Sequence, residues 1–267
     1  MKYLPIYLAN RCLKIIGNLA KHLLGHPFHW MFPQKRFCIP KHAAPLWTAN
    51  KSCLIPRTVW LTNFTNRVSF PVYLNYCVNR LLAPAYTFRF MDDADSKLFI
   101  KETCSAEIYQ DYLRLKDGTA KADFWRLLVL HERGGVYADI DAHLVWPLGR
   151  SLKPDDDELY LRSGGNSLTN YFIASKANHP NLEKIIAVVR RNIKNRKKTF
   201  VWGLTGPGPM IEALSEATVH SRASRFVSLQ GTFTNEYFQY LDKPNGKWTH
   251  TKEADILNSP PAKNDAA

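Results

Sequence analysis

The sequence predicts an α/β fold built on an open mixed sheet flanked by helices, with an N-terminal amphipathic helical extension. Three observations carry this. From Ile55 onward strand-like and helical stretches alternate, as they do where helices cover a sheet. Residues 119–133 form the strongest helical segment, apolar on nearly every side and stopped by Gly134-Gly135. Directly after it, residues 136–139 read as a short central strand delivering two carboxylates, Asp139 and Asp141.

Residues 1–24 are apolar and basic at once. At helical spacing Leu4, Leu8, Cys12, Ile15, Ile16, Leu19 and Leu23 form one face, while Arg11, Lys14, Asn18 and Lys21 lie off it. The apolar runs fall far short of the roughly 20 residues of a membrane span, and no small-residue cleavage site follows cleanly. Two readings of this helix stay open: it lies in a membrane interface, or its apolar face packs on the body of the protein. Residues 25–50 carry His, Pro, Phe and Trp without a period and read as a connector. Strands are expected at 55–61 and 86–91, with a helix between them reaching Leu82, then short helices at 94–102 and 105–115. After the central helix and strand, further strands are expected at 143–146, 158–161 and 171–175, and helices at 181–193 and 209–217. The basic run Arg190, Arg191, Lys194, Arg196, Lys197 and Lys198 reads as a solvated face, with phosphate or membrane contact as the other reading. The expected organisation is thus helix and connector over 1–50, a main domain over 51–258, and a disordered tail over 259–267 (SPPAKNDAA).

The chain has 267 residues, 45% hydrophobic and 22% charged, enough to bury a real core. Its 36 Lys and Arg exceed its 23 Asp and Glu by 13, so polyanions, anionic lipid or phosphorylated substrates are the expected attractions. No nucleic-acid-binding motif or patterned basic helix accompanies the charge, and no nucleic acid is expected as partner. Five scattered cysteines, Cys12, Cys38, Cys53, Cys77 and Cys104, form neither a Cys-x-x-Cys pair nor an even framework. A reducing compartment, the cytoplasm, is the expectation.

In a strand, side chains two apart share a face, so Asp139 and Asp141 are expected to point the same way, roughly 6 to 7 Å apart. One hard divalent cation, Mg²⁺ or Mn²⁺, can engage both and complete its shell with substrate phosphates. On the preceding helix Asp123 and Arg126 stand at i and i+3. An ordinary intrahelical ion pair is one reading. On so apolar a helix the pair would want further partners, and a sugar hydroxyl and a phosphate suit an Asp acceptor and an Arg fork.

Ala120-Lys121-Ala122-Asp123-Phe124-Trp125-Arg126, then Gly134-Gly135-Val136-Tyr137-Ala138-Asp139-Ile140-Asp141, then Asn170-Tyr171-Phe172-Ile173-Ala174-Ser175 and Thr205-Gly206-Pro207 together resemble the Asp-x-Asp glycosyltransferases of family 32. The resemblance extends to bacterial polysaccharide and capsule enzymes and, more distantly, to clostridial glucosylating toxin domains. It implies a GT-A, Rossmann-like fold, a UDP- or GDP-linked nucleotide-sugar donor, Mn²⁺ or Mg²⁺, and a retaining transfer. By position it implies Asp141 as main metal ligand, with Asp139 holding the ribose or sugar and metal-bound water. Asp123 and Arg126 grip the sugar, Tyr137 lies beside the nucleotide, Trp60 stacks on the base, and Asn170 faces the donor. Tyr137 and Trp60 also fit a core, and Asn170 a strand-end turn. Trp248 and His250 match, loosely, a C-terminal loop that closes on the donor and adds a metal ligand. The acceptor expected is a glycan or lipid-linked glycan, with the protein peripheral on the cytosolic face of an anionic membrane. A toxin-type protein acceptor, and a basic nucleic-acid-binding protein without activity, are the alternatives.

Overall fold

A computed structural model of the chain describes residues 3–49, 52–196, 198, 200–244 and 246–258. The expected tail therefore lies outside the described residues. In chain order the helical extension is α1 (Leu4–Leu19), a π-helical turn (Ala20–Gly25) and α2 (His26–Met31). There follow β1 (Phe37–Cys38), β2 (His42–Ala43), β3 (Thr58–Thr62), β4 (Arg67–Val68), α3 (Phe70–Leu82), β5 (Thr87–Met91), α4 (Asp93–Thr103), α5 (Ala106–Leu113), α6 (Gly118–Arg133) and β6 (Gly135–Ala138). The remainder is β7 (Ala142–Leu144), α7 (Leu148–Ser151), β8 (Glu158–Arg162), β9 (Leu168–Ser175), α8 (Pro180–Asn195), α9 (Val201–Leu204), α10 (Pro207–Ala213), β10 (Ser221–Ala223), β11 (Ser228–Gln230) and α11 (Glu236–Gln239).

The main sheet has seven strands in the order β10-β8-β9-β6-β3-β5-β2. Strands β6, β3 and β5 run parallel, while β9 runs antiparallel to both β6 and β8. It is the open mixed sheet the alternation implied. Period-two alternation divides its side chains between two cores. Trp60, Tyr137, Tyr160 and Ile173 face a layer built by α6, α8 and α10. Val59, Leu61, Val136, Leu159 and Phe172 face the opposite layer, which includes Val72 and Tyr76 of α3.

Two expectations are corrected. The strand expected at 143–146 is β7, and it leaves the main sheet to pair with β11, a strand the sequence did not announce. The stretch after the first helix is not a plain connector: β2 forms an edge of the main sheet against β5, and Ile39 is fully buried. The basic run is partly tied down, since Arg190 donates to Asp111 and Glu107 of α5.

His143 of β7 is fully buried against the Phe233 ring, 5.3 Å between centroids. Burial pushes its pKa from 6.5 down to about 4. The native state therefore keeps this imidazole neutral, and acid favours the unfolded chain, where it can charge. Its contribution is complete above about pH 6.5 and declines as the pH falls toward 4. Between about pH 7.5 and about pH 5 the native protein should lose about 2 kcal/mol through this group. Urea unfolding at the two pH values checks it: a His143→Leu variant should lose correspondingly less, and an identical loss would remove His143 from the account.

Candidate functional site

Helix α6 starts where Asp117 accepts a hydrogen bond from Ala120 N at 2.8 Å, and it ends at Gly134. Both glycines there are obligatory. Gly134 has φ 64° and Gly135 φ 111°, and a Cβ on Gly135 would lie 2.7 Å from the Thr58 carbonyl oxygen. This close approach lets β6 lie directly against β3, so α6 and β6 bring their polar residues to one end of the sheet.

The chain leaves the sheet after Ala138, earlier than the sequence pattern suggested. Asp139 and Asp141 consequently sit in a turn, not on one strand face; Ala142 N donates to Asp139 O at 2.9 Å to close it. Helix α3 holds the turn from beneath. Asn75 Nδ2 donates to the carbonyls of Ile140 (2.9 Å) and Ala142 (2.8 Å), and Asn79 Nδ2 also reaches Ala142 O at 2.8 Å. Asn79 Oδ1 accepts from Leu144 N at 2.8 Å. Both amides are buried, where hydrogen bonds are strongest and most costly to lose.

Arg126 ties helix to turn. Its guanidinium pairs with Asp123 at 2.8 Å and Asp139 at 3.2 Å, donates to Asn170 O at 2.7 Å, and lies 4.4 Å from the Tyr137 ring centroid. Burial works against the charge, but Asp139, Tyr137 and Asp123 outweigh it, and its pKa is raised. Tyr137 donates its hydroxyl to Asp139 Oδ1 at 2.6 Å, and burial foremost raises that hydroxyl's pKa far above the ordinary value. Asp123 is held by Asn170 Nδ2 (2.9 Å) and Thr205 Oγ1 (3.2 Å). Burial pushes its pKa up to about 6 despite Arg126. Burial, and then the negative charge of Asp139, push Asp141 up to about 7.

Gln230, at the end of β11, completes the arrangement. Its Nε2 donates to Asp139 Oδ2 at 2.8 Å and to Asp141 Oδ1 at 3.1 Å. The two carboxylates thus converge on one point, and that point lies on the wall of a cavity of about 370 Å³. Arg126, Tyr137, Asp139 and Asp141 all line this cavity, as do Phe64, Glu236, Tyr240 and Lys243.

The structure gathers Asp123, Arg126, Tyr137, Asn170, Asp139 and Asp141 into one hydrogen-bonded unit. Asp123 and Asn170 lie behind Arg126 and brace it. Trp60 does not line the cavity: it is 7% exposed, and its indole nitrogen donates to Gly134 O at 2.9 Å within the core. Its strand ends at Thr62, and the aromatic that reaches the cavity from there is Phe64. His250 stands apart as well, its Nε2 2.7 Å from Glu236 Oε1. Among the described residues no third His, Cys, Asp or Glu joins the carboxylate pair in a cluster suited to a metal ion. Thr205 came within the Thr-Gly-Pro motif. Gln230, Asn75 and Asn79 carried no signal in the sequence, because a lone amide in an ordinary segment has none.

Residues 62–159 match the family model described as a glycosyltransferase sugar-binding region containing the DXD motif. The initiation-specific alpha-1,6-mannosyltransferase of Schizosaccharomyces pombe is 25% identical over 199 residues, covering 61% of this chain and 48% of that protein. The chain spans about half the length of that relative. Among solved structures, the PaToxG glycosyltransferase superposes with a TM-score of 0.51 at 18% identity, covering 80% of each chain. The catalytic domain of alpha-toxin from Clostridium novyi gives a TM-score of 0.37 at 10% identity, covering 78% of this chain and 76% of that one. The chain carries a glycosyltransferase-like sugar-binding region of the DXD type on a fold similar to GT-A glycosyltransferases.

Proposed function

We propose that the protein transfers a hexosyl group from a nucleotide sugar to a glycan or lipid-linked glycan, with a divalent cation, Mn²⁺ or Mg²⁺, and with retention, in the assembly of a polysaccharide or glycolipid. The observation that carries this reading is the convergence of Asp139 Oδ2 and Asp141 Oδ1 on the single point now held by the Gln230 amide. Two hard oxygen donors aimed at one position on a cavity wall are what Mg²⁺ or Mn²⁺ requires, provided phosphate oxygens and water complete the shell. The residues therefore fit the cation. Asp139 and Asp141 would hold it, and it would stabilise the negative charge that develops on the departing diphosphate.

The chain's own residues supply the rest. Arg126, fixed by Asp123, Asn170 and Tyr137, presents a positive charge that needs no reorganisation when the leaving group becomes more anionic. Lys243, on the same cavity, adds a second cation. Phe64, with the Lys243 ammonium 5.5 Å from its ring centroid, and Tyr240 supply aromatic lining against which a nucleobase would lie. No paired nucleophile presents itself in the sequence, so attack on the same face, guided by the leaving group, is the retaining route favoured. The cavity, about 370 Å³, falls within the range of small-molecule sites. A mannosyl donor is the first to try, following the printed name of the Schizosaccharomyces pombe relative.

A panel of UDP- and GDP-sugars with Mn²⁺, with Mg²⁺ and with neither tests the reading. A cognate donor near a hundredfold excess over its Kd should raise Tm by about 5 °C and release its nucleotide when an acceptor is added. Failure of every UDP- and GDP-sugar to stabilise the protein or release nucleotide, with either cation, would overturn it.

A further inference from the structure

The N-terminal helix docks on the body by the face opposite to its apolar one. Its buried positions are polar or glycine, namely Asn10, Gly17, Lys21, Gly25 and His29, with Ile6, Leu13 and Phe28 half-buried beside them. Asn10 Nδ2 donates to Arg225 O at 2.6 Å, Lys21 Nζ to Gly231 O at 3.2 Å, and His29 Nε2 accepts from Phe70 N at 3.1 Å. Between them Gly17 and Gly25 allow contact closer than any side chain would: a Cβ on Gly17 would lie 2.6 Å from Thr232 Cγ2, and one on Gly25 2.7 Å from Pro71 Cγ. The stripe of Leu4, Leu8, Ile15, Ile16, Leu19 and Leu23 is left outward, every member more than half exposed. Trp30, just beyond, is 84% exposed.

An uncovered leucine and isoleucine stripe this long has a partner. Charge identifies it. The first acidic residue of the chain is Asp92, and the 91 residues before it hold 12 Lys and Arg, so nearly all of the net charge of +13 resides in this N-terminal third. Arg11 and Lys14 are exposed and flank the stripe. Among the described residues no helix is long and apolar enough to cross a membrane. An apolar stripe confined to one face of the helix, edged by cations and closed by an exposed tryptophan, matches the interface of an anionic bilayer.

We propose that residues 4–32 form an in-plane anchor that lays its leucine and isoleucine face into an anionic lipid surface. The anchor has a second consequence. Its inner seam seats the chain between Gly231 and Phe238, and Gly231, Asn235 and Glu236 of that chain line the cavity beside Asp139 and Asp141. The segment on which the anchor docks is thus also part of the cavity wall. The anchor does not depend on the transfer reaction, since binding to vesicles is read with no donor present.

Sedimentation of the full chain with phosphatidylcholine vesicles, with and without phosphatidylglycerol, tests it. The protein should pellet with the anionic vesicles and release at high salt. Ile15→Glu combined with Leu19→Glu should weaken binding at least tenfold with an unchanged thermal melt. Arg11→Glu combined with Lys14→Glu should cost about tenfold or more on anionic vesicles only. Absence of binding to anionic vesicles would overturn the proposal, as would a double-Glu variant that binds like the native chain. So would a dimer in lipid-free solution that the Ile15→Glu, Leu19→Glu pair dissolves, for then the stripe belongs to a second copy.

Discussion

Asp139→Asn and Asp141→Asn should each lower transfer by about a thousandfold, the scale on which loss of transition-state charge stabilisation is felt, yet they should move stability in opposite directions. Asp141 is costly to the fold as a carboxylate. Burial and the adjacent negative charge of Asp139 push its pKa up to about 7. An asparagine of the same shape removes that repulsion, so Asp141→Asn should match or exceed the native protein in Tm near neutral pH. Asp139 is different: it accepts from Tyr137 at 2.6 Å and pairs with Arg126 at 3.2 Å. Losing its charge leaves a buried guanidinium less well compensated, and Asp139→Asn should melt lower. Nucleotide release and thermal melts on the same preparations read both effects. Undiminished transfer by either variant would sink the assignment of the pair, and equal melting shifts would sink the electrostatic account of the turn.

Arg126→Met should be the most destabilising single change in the site, by about 3 to 5 kcal/mol, because it strands a buried partner. Asp123 is 4% exposed and Arg126 3%, and no other cation is hydrogen-bonded to Asp123 among the described residues. With Arg126 gone, Asp123 takes up a proton or disrupts its seat under Asn170 and Thr205. Pairing the change with Asp123→Asn should restore at least half of the loss, since both members of the ion pair are then neutral. Urea unfolding of the two single variants and the double variant measures the coupling. A loss below about 1 kcal/mol for Arg126→Met would show that the network contributes little to the fold.

Much of this arrangement was legible because backbone constraints leave strong marks. The apolar run of α6, the paired glycines and the carboxylates after them are local, and each follows from a rule of period or of dihedral freedom. The ambiguous cases were those in which one residue type serves two ends. Trp60 in a buried strand reads equally as a base platform or as core, and only its hydrogen bond to Gly134 O places it in the core. The N-terminal helix shows how amphipathicity can mislead. Its apolar stripe was plain, but Gly17 and Gly25 create a second, closer-packing seam opposite to it, and contact geometry on the body decided which face turned inward. Strand β11 has three residues, too few for a period, so Gln230 could not be foreseen at all.

The grip of α3 on the turn bears on when the site comes into being during folding. Asn75 and Asn79 are 63 to 67 residues from the carbonyls they hold, and Gln230 is 89 and 91 residues from the carboxylates it bridges. Each of these contacts closes a long loop, whose entropy must be lost before the contact rewards it. Helix α6 can form early from local interactions, but the carboxylates have no fixed relation until α3, β9 and β11 have docked from both directions along the chain. A nascent chain that has emerged only as far as Asp141 carries the whole Asp-x-Asp motif but lacks β9, Asn170 and Gln230, so the two carboxylates are bridged to one point only once the chain beyond them has folded.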